Sequence, residues 1–205
     1  MDKQTCKFVA RVAENLPMMS SDIMQGWIDN PRGLQKFLSG LVPSVEETKN
    51  FPIYLECEVG GKSKDELITE IELNGMFASD WAKDIMGKPA WKPGEKQTVK
   101  FARVKVCDLG FTKNPGTSQI WARIQEFGHS LCESGDGPAI RLVLKDQPRN
   151  DRFWIAMEQI AASGGLSSVF IVERRDDSGS RLVADWVGPR GERYLDNEFV
   201  FRLRK

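Results

Sequence analysis

The sequence predicts an α+β protein: an N-terminal three-helix unit, a β-α-α-β segment, then a helix packed on an antiparallel sheet. Three observations carry this. Apolar residues in 1–41 recur at helical spacing. Residues 51–106 switch between alternation and helical spacing. After Gly137-Pro138 the pattern is all strand, interrupted by short turns rich in Gly, Asp and Ser.

In the N-terminal unit, Phe8, Val9 and Val12 begin a helix that Leu16-Pro17 ends, because the residue before a proline avoids helical torsions. Ser20 and Ser21 cap a second helix over 22–29, where Ile23/Trp27 and Met24/Ile28 form i,i+4 pairs. Asn30-Pro31 opens a third, whose stripe is Leu34, Phe37, Leu38 and Leu41. Residues 42–50 are polar and aperiodic and read as a linker. The α+β domain then spans 51–205, with a further division near residue 107 left open.

Within that domain, Phe51 to Val59 alternates and closes at Gly60-Gly61, which predicts a strand. Ser63 caps a helix bearing Leu67, Ile68 and Ile71, stopped by Asn74-Gly75. Ser79 caps a shorter one with Trp81, Ile85 and Met86. Val99 to Val106 is a strand, Asp108 to Phe111 a turn, and Thr117 or Ser118 starts a helix through Ile120, Ile124, Phe127 and Leu131, with a break offered by Gly128. Ile140, Leu142 and Leu144 alternate with Arg141, Val143 and Lys145 and read as the first of five strands. The others are 153–160, 168–174, 181–187 and 199–203. Close spacing predicts a meander.

Composition bounds the function. With 29 Lys+Arg against 29 Asp+Glu the net charge is zero, which disfavours strong non-specific nucleic-acid binding. The start of the chain lacks the long apolar run of a signal peptide, and no stretch approaches a membrane span. The four cysteines are scattered, so reduced thiols and a cytoplasmic location are expected.

Three constellations could carry chemistry. His129, the one histidine, precedes Cys132 by three residues, so a thiol–imidazole pair is conceivable. If the helix runs past Gly128, however, His129 faces solvent and Cys132 is half-buried. Arg141, Arg152, Arg174 and Arg181 sit with Trp154 and Trp186 on the expected C-terminal sheet, a composition suited to single-stranded nucleic acid, but interspersed acids nearly cancel the charge. Trp27 with Met18, Met19 and Met24 offers an adaptable apolar surface for a protein partner. Most of the six tryptophans are expected as core or domain-contact residues. Glu56 and Glu58 share a strand face, which suits a solvated sheet better than a metal pair. Gly60-Gly61-Lys62-Ser63 lacks the first glycine of a phosphate loop. No metal site is specified.

Several stretches resemble a known set of sequences: residues 16–28 (LPMMSSDIMQGWI), Ser79-Asp80-Trp81-Ala82, Ile85-Met86-Gly87-Lys88-Pro89, Asp108-Leu109-Gly110-Phe111, Leu131-Cys132, Gly137-Pro138, Ile140-Arg141-Leu142, Asp146-Gln147-Pro148 and Ile155-Ala156-Met157-Glu158. Together they are similar to a family of small uncharacterised bacterial proteins found mostly in environmental genomes. The resemblance implies a bacterial origin and one continuous architecture, and it carries no activity, cofactor or functional residue.

The sequence reading therefore places first a non-enzymatic interaction module, most readily protein-binding and without a cofactor. Nucleic-acid binding by the C-terminal sheet stands second. A cytosolic hydrolase using Cys132 and His129 stands third.

Overall fold

The computed structural model describes residues 20–34, 49–188 and 191–204, together with Lys7, Ala10 and Glu14. The chain divides into two compact units, Met1–Val45 and Glu46–Lys205.

In the first unit, helix α1 spans Ser21–Asp29. The Ser20 side chain accepts the Ile23 N–H at 3.4 Å, the cap that the sequence predicts. Asn30 repeats the device, its side-chain oxygen accepting the Gly33 N–H at 2.9 Å ahead of helical residues 31–34. Most of the expected first helix and the outer part of the third lie outside the described residues, as do Met18 and Met19.

The second unit is built on one mixed sheet. Its elements are β1 (Leu55–Val59), α2 (Lys64–Leu73), β2 (Phe77–Ala78), α3 (Asp80–Met86), β3 (Gln97–Lys105), α4 (Thr117–Glu126), α5 (Asp136–Val143), β4 (Arg152–Ile155), β5 (Ile160–Ala161), β6 (Ser167–Arg175), β7 (Gly179–Trp186) and β8 (Glu198–Arg202). The sheet order is β1-β3-β8-β4-β6-β7-β2, with β5 also on β6. This corrects the expected antiparallel meander. Strand β8 inserts between β3 and β4 and runs parallel to β4, and β2 runs parallel to β7. The segments on either side of residue 107 thus share one sheet.

Local chemistry explains most boundaries. Ser63 and Glu66 exchange side-chain and backbone bonds as a full capping box for α2. Gly75 (φ 70°) lets the chain leave that helix. Ser79 caps α3. At α4 the Gln119 side chain reaches back to the Gly116 N–H at 2.8 Å, and Gly128 (φ 79°) follows the helix end and prevents its continuation.

One predicted strand is wrong. Residues 140–144 belong to α5 and its cap, not to the sheet. Every residue from Asp136 to Arg141 is buried, the charged Asp136 and Arg141 included, so polar positions here do not mark a solvent-facing side. Its sequence signals are Asp136 and Pro138 in the first turn. Helix α5 packs on β1, β6, β7 and α2. A Cβ on Gly137 would lie 2.8 Å from the Phe170 ring, so glycine sets the helix–sheet spacing.

Side chains alternate across β8, which separates the two faces. Phe199 and Phe201 point to one face, where Trp121 of α4 meets Phe199 edge-on at 5.4 Å. Arg202 points to the other, where it binds Asp136 of α5. Phe101, Phe153, Phe170, Phe199 and Phe201 are completely buried, each contributing about 1.5–3 kcal/mol of hydrophobic stabilisation. Trp91, Trp121 and Trp154 are buried, whereas Trp81 and Trp186 are half exposed.

Candidate functional site

The thiol–imidazole pair does not form. Because α4 ends at Glu126, His129 is not carried to solvent as expected but is buried at 3% exposure. Its Nε2 lies 2.8 Å from the Lys49 carbonyl, its Nδ1 accepts the Arg204 N–H at 3.4 Å, and its ring packs at a tilt against Phe51 and Phe201. That is the Phe201 side of β8. Cys132, expected half-buried, is buried on the Val200 and Arg202 side, its thiol donating to the Val200 carbonyl at 3.5 Å. The strand separates the two groups.

Cys132 instead neighbours an ion-paired cluster. Asp136, 1% exposed, accepts from Arg202 Nε at 2.6 Å and Nη2 at 2.7 Å. It also accepts the Glu133 N–H at 2.9 Å, while Glu133 binds Arg202 Nη1 at 2.6 Å. Burial, reinforced by the Asp136 charge, pushes the Cys132 thiol well up, and the same causes raise Cys57 to about 11. Both sulfurs are therefore held as thiols, the unreactive form. Burial also raises Asp136, against the pull of Arg202. This arrangement holds α5 onto β8 and presents no nucleophile.

The four arginines expected on one sheet are dispersed. Arg141 belongs to α5 and is completely buried. It donates to the Gln147 side chain, the Leu144 carbonyl and, at 3.3 Å, the Glu173 carbonyl, and burial lowers it to about 10. Gln147 passes the network to Asp151 at 3.0 Å, and Asp151 is paired with Arg103, which also holds Glu198 and the Tyr54 hydroxyl. Arg174 is half-buried and donates to the Gln147 carbonyl at 2.7 Å. Arg152 and Arg181 lie on the opposite face, where Arg181 pairs with Glu173 at 2.8 Å and Arg152 with Asp185 at 3.2 Å. Arg152 also lies over the Trp154 ring at 4.6 Å. For Arg152 and Arg181 the charge is cancelled in space by direct pairs with acids, whereas Arg141 and Arg174 donate to amide and carbonyl oxygens.

Sequence reasoning missed Arg103, Asp151, Asp136 and Arg202 as charge partners. Arg103 and Asp151 are 48 residues apart and Asp136 and Arg202 are 66 apart, so no local spacing announces them. Among the described residues, no three His, Cys, Asp or Glu side chains stand close enough to share a metal ion, and no helix is long and apolar enough to cross a membrane.

In the first unit, Ile23, Met24 and Ile28 are 53%, 45% and 68% exposed on α1, which has no buried residue. Trp27 is half-buried beside them. These four positions fall within one side of the helix.

No protein-family model matches the chain, and neither a curated protein nor a solved structure shows significant similarity to it.

Proposed function

We propose that this chain is a non-enzymatic interaction module that binds a partner protein through the apolar side of helix α1. The carrying observation is the exposure of Ile23, Met24 and Ile28 together on a helix that buries none of its nine residues. Isolated exposed apolar residues need no explanation, but three on one side of one short helix form the pattern that groove-binding helices present. Methionine adds adaptability to such a surface. The placement of Cys132 and His129 on opposite sides of β8 removes the main support for the hydrolase reading. The direct pairing of Arg152 and Arg181 with acids weakens the nucleic-acid reading.

The test is site-specific photocrosslinking from position 28 of the full chain in a lysate of the source cell. A discrete protein adduct is expected. Ile23→Ser should remove it while leaving the unfolding midpoint unchanged, because a central apolar anchor typically contributes about 2 kcal/mol or more to binding. An adduct that persists at full yield in Ile23→Ser contradicts the proposal, as does crosslinking only within the chain.

A further inference from the structure

Where α5 ends, the turn after α2 and the β6–β7 hairpin come together. The parallel pairing of Phe77 with Arg181 and Ala78 with Leu182 brings residues 74–76 alongside Gly179 and Ser180. Between them is a pocket of about 300 Å³, lined by Asn74, Met76, Lys145, Arg174 and Ser180 with backbone of two glycines, and no carboxylate contributes to its wall.

Both cations are uncommitted to acids. Neither Lys145 nor Arg174 forms an ion pair among the described residues. Arg174 spends Nη1 on the Gln147 carbonyl at 2.7 Å, which fixes its guanidinium and leaves further N–H groups. Ser180 pairs with Arg174 across the hairpin, and its hydroxyl has no protein hydrogen-bond partner among the described residues. The nearby acids are engaged elsewhere: Asp176 accepts from Asn150 at 2.8 Å, Asp177 from Ser178 at 2.9 Å, and Asp151 is paired with Arg103. Asp146, next to Lys145, is exposed to solvent. Arg141 binds the same Gln147 from inside and adds a buried positive charge without a carboxylate of its own. Charges away from water are screened little, so its field reinforces that of the pocket.

We infer that this pocket binds the phosphate group of a small phosphomonoester. A fixed guanidinium, a flexible ammonium and a free hydroxyl suit a multiply charged tetrahedral anion, which offers several acceptor oxygens. The volume is at the lower end of small-molecule sites and leaves room for a short organic group. All the residues of this site belong to the second unit, and the inference stands whether or not helix α1 binds a protein.

The experiment is a calorimetric titration of the full chain with glycerol phosphate at constant ionic strength, with inorganic phosphate and an oligothymidylate lacking terminal phosphates as competitors. Saturable low-millimolar binding is expected. Inorganic phosphate should compete and the oligonucleotide should not. Lys145→Gln, at an exposed position, should keep the fold and weaken binding about tenfold. Arg174→Lys should weaken it too, since a lysine cannot reproduce the fork. Absence of saturation, equal affinity in Lys145→Gln with an unchanged unfolding midpoint, or tighter competition by the oligonucleotide each overturns the inference.

Discussion

The two ends of helix α5 treat positive charge in opposite ways. At its start, Arg202 is locked in two hydrogen bonds to the buried Asp136 and held again by Glu133. Past its end, Lys145 and Arg174 face an open pocket with no acid in its wall. The first arrangement uses charge to fix a helix against a strand 66 residues away. The second leaves charge available to something outside the protein. The difference teaches that a cation's role is set by what surrounds it in space. In the sequence, Arg202 and Arg174 are two similar arginines on two similar strands.

Removing Asp136 should have the largest effect. Breaking a buried pair leaves an uncompensated charge, so Asp136→Ala should lower unfolding stability by about 3–5 kcal/mol in a denaturant titration. A loss under ~1 kcal/mol would make the two ends of α5 equivalent and break the comparison. Thiol labelling probes the same end. Cys57 and Cys132 are buried and Cys107 is exposed, so peptide mapping should show Cys107 modified at least about a hundredfold faster at neutral pH. Gly137→Ala should cost about 1–3 kcal/mol despite alanine's better helix propensity, because its Cβ would press on Phe170.

A site away from both ends sharpens the contrast. Asp84 accepts from the Ser163 hydroxyl at 2.5 Å and N–H at 2.7 Å and pairs with Lys88 at 2.9 Å, which together lower it to about 2. Its folded-state value is below its unfolded one, so its stabilisation is present above pH ~4 and disappears as pH falls through about 2. Asp84→Asn should flatten the stability profile across that interval, read from unfolding midpoints at a series of pH values. The smallest effect belongs to Lys145→Gln, which should change stability by no more than ~0.5 kcal/mol.

Much of the fold is legible because its signals are local. Ser20, Ser63 and Ser79 announce the starts of α1, α2 and α3, and the alternation in β1, β3 and β7 and the short apolar run of β6 mark strands. Helix α5 is misread because it is only eight residues long and its apolar Ile140, Leu142 and the following Leu144 alternate with Arg141 and Val143 as a strand would. The insertion of β8 between β3 and β4 is invisible for another reason: strand pairing across the length of a domain leaves no local mark. The same limit hides the pocket. Asn74-Gly75 reads correctly as a helix stop and Arg174 as a strand arginine, but only the pairing of β2 with β7 puts them beside Lys145. His129 is misplaced because its orientation depends on where α4 ends. Gly128 signals a break there but does not set the direction of the chain beyond it.

The most direct test of the contrast is an amide chemical-shift map of the full chain during addition of glycerol phosphate. The account predicts saturating shifts at Gly75, Lys145, Arg174, Gly179 and Ser180, with the amides of Glu133, Asp136 and Arg202 unmoved. Shifts centred on Asp136 and Arg202, or spread evenly over the surface without saturation, would contradict it.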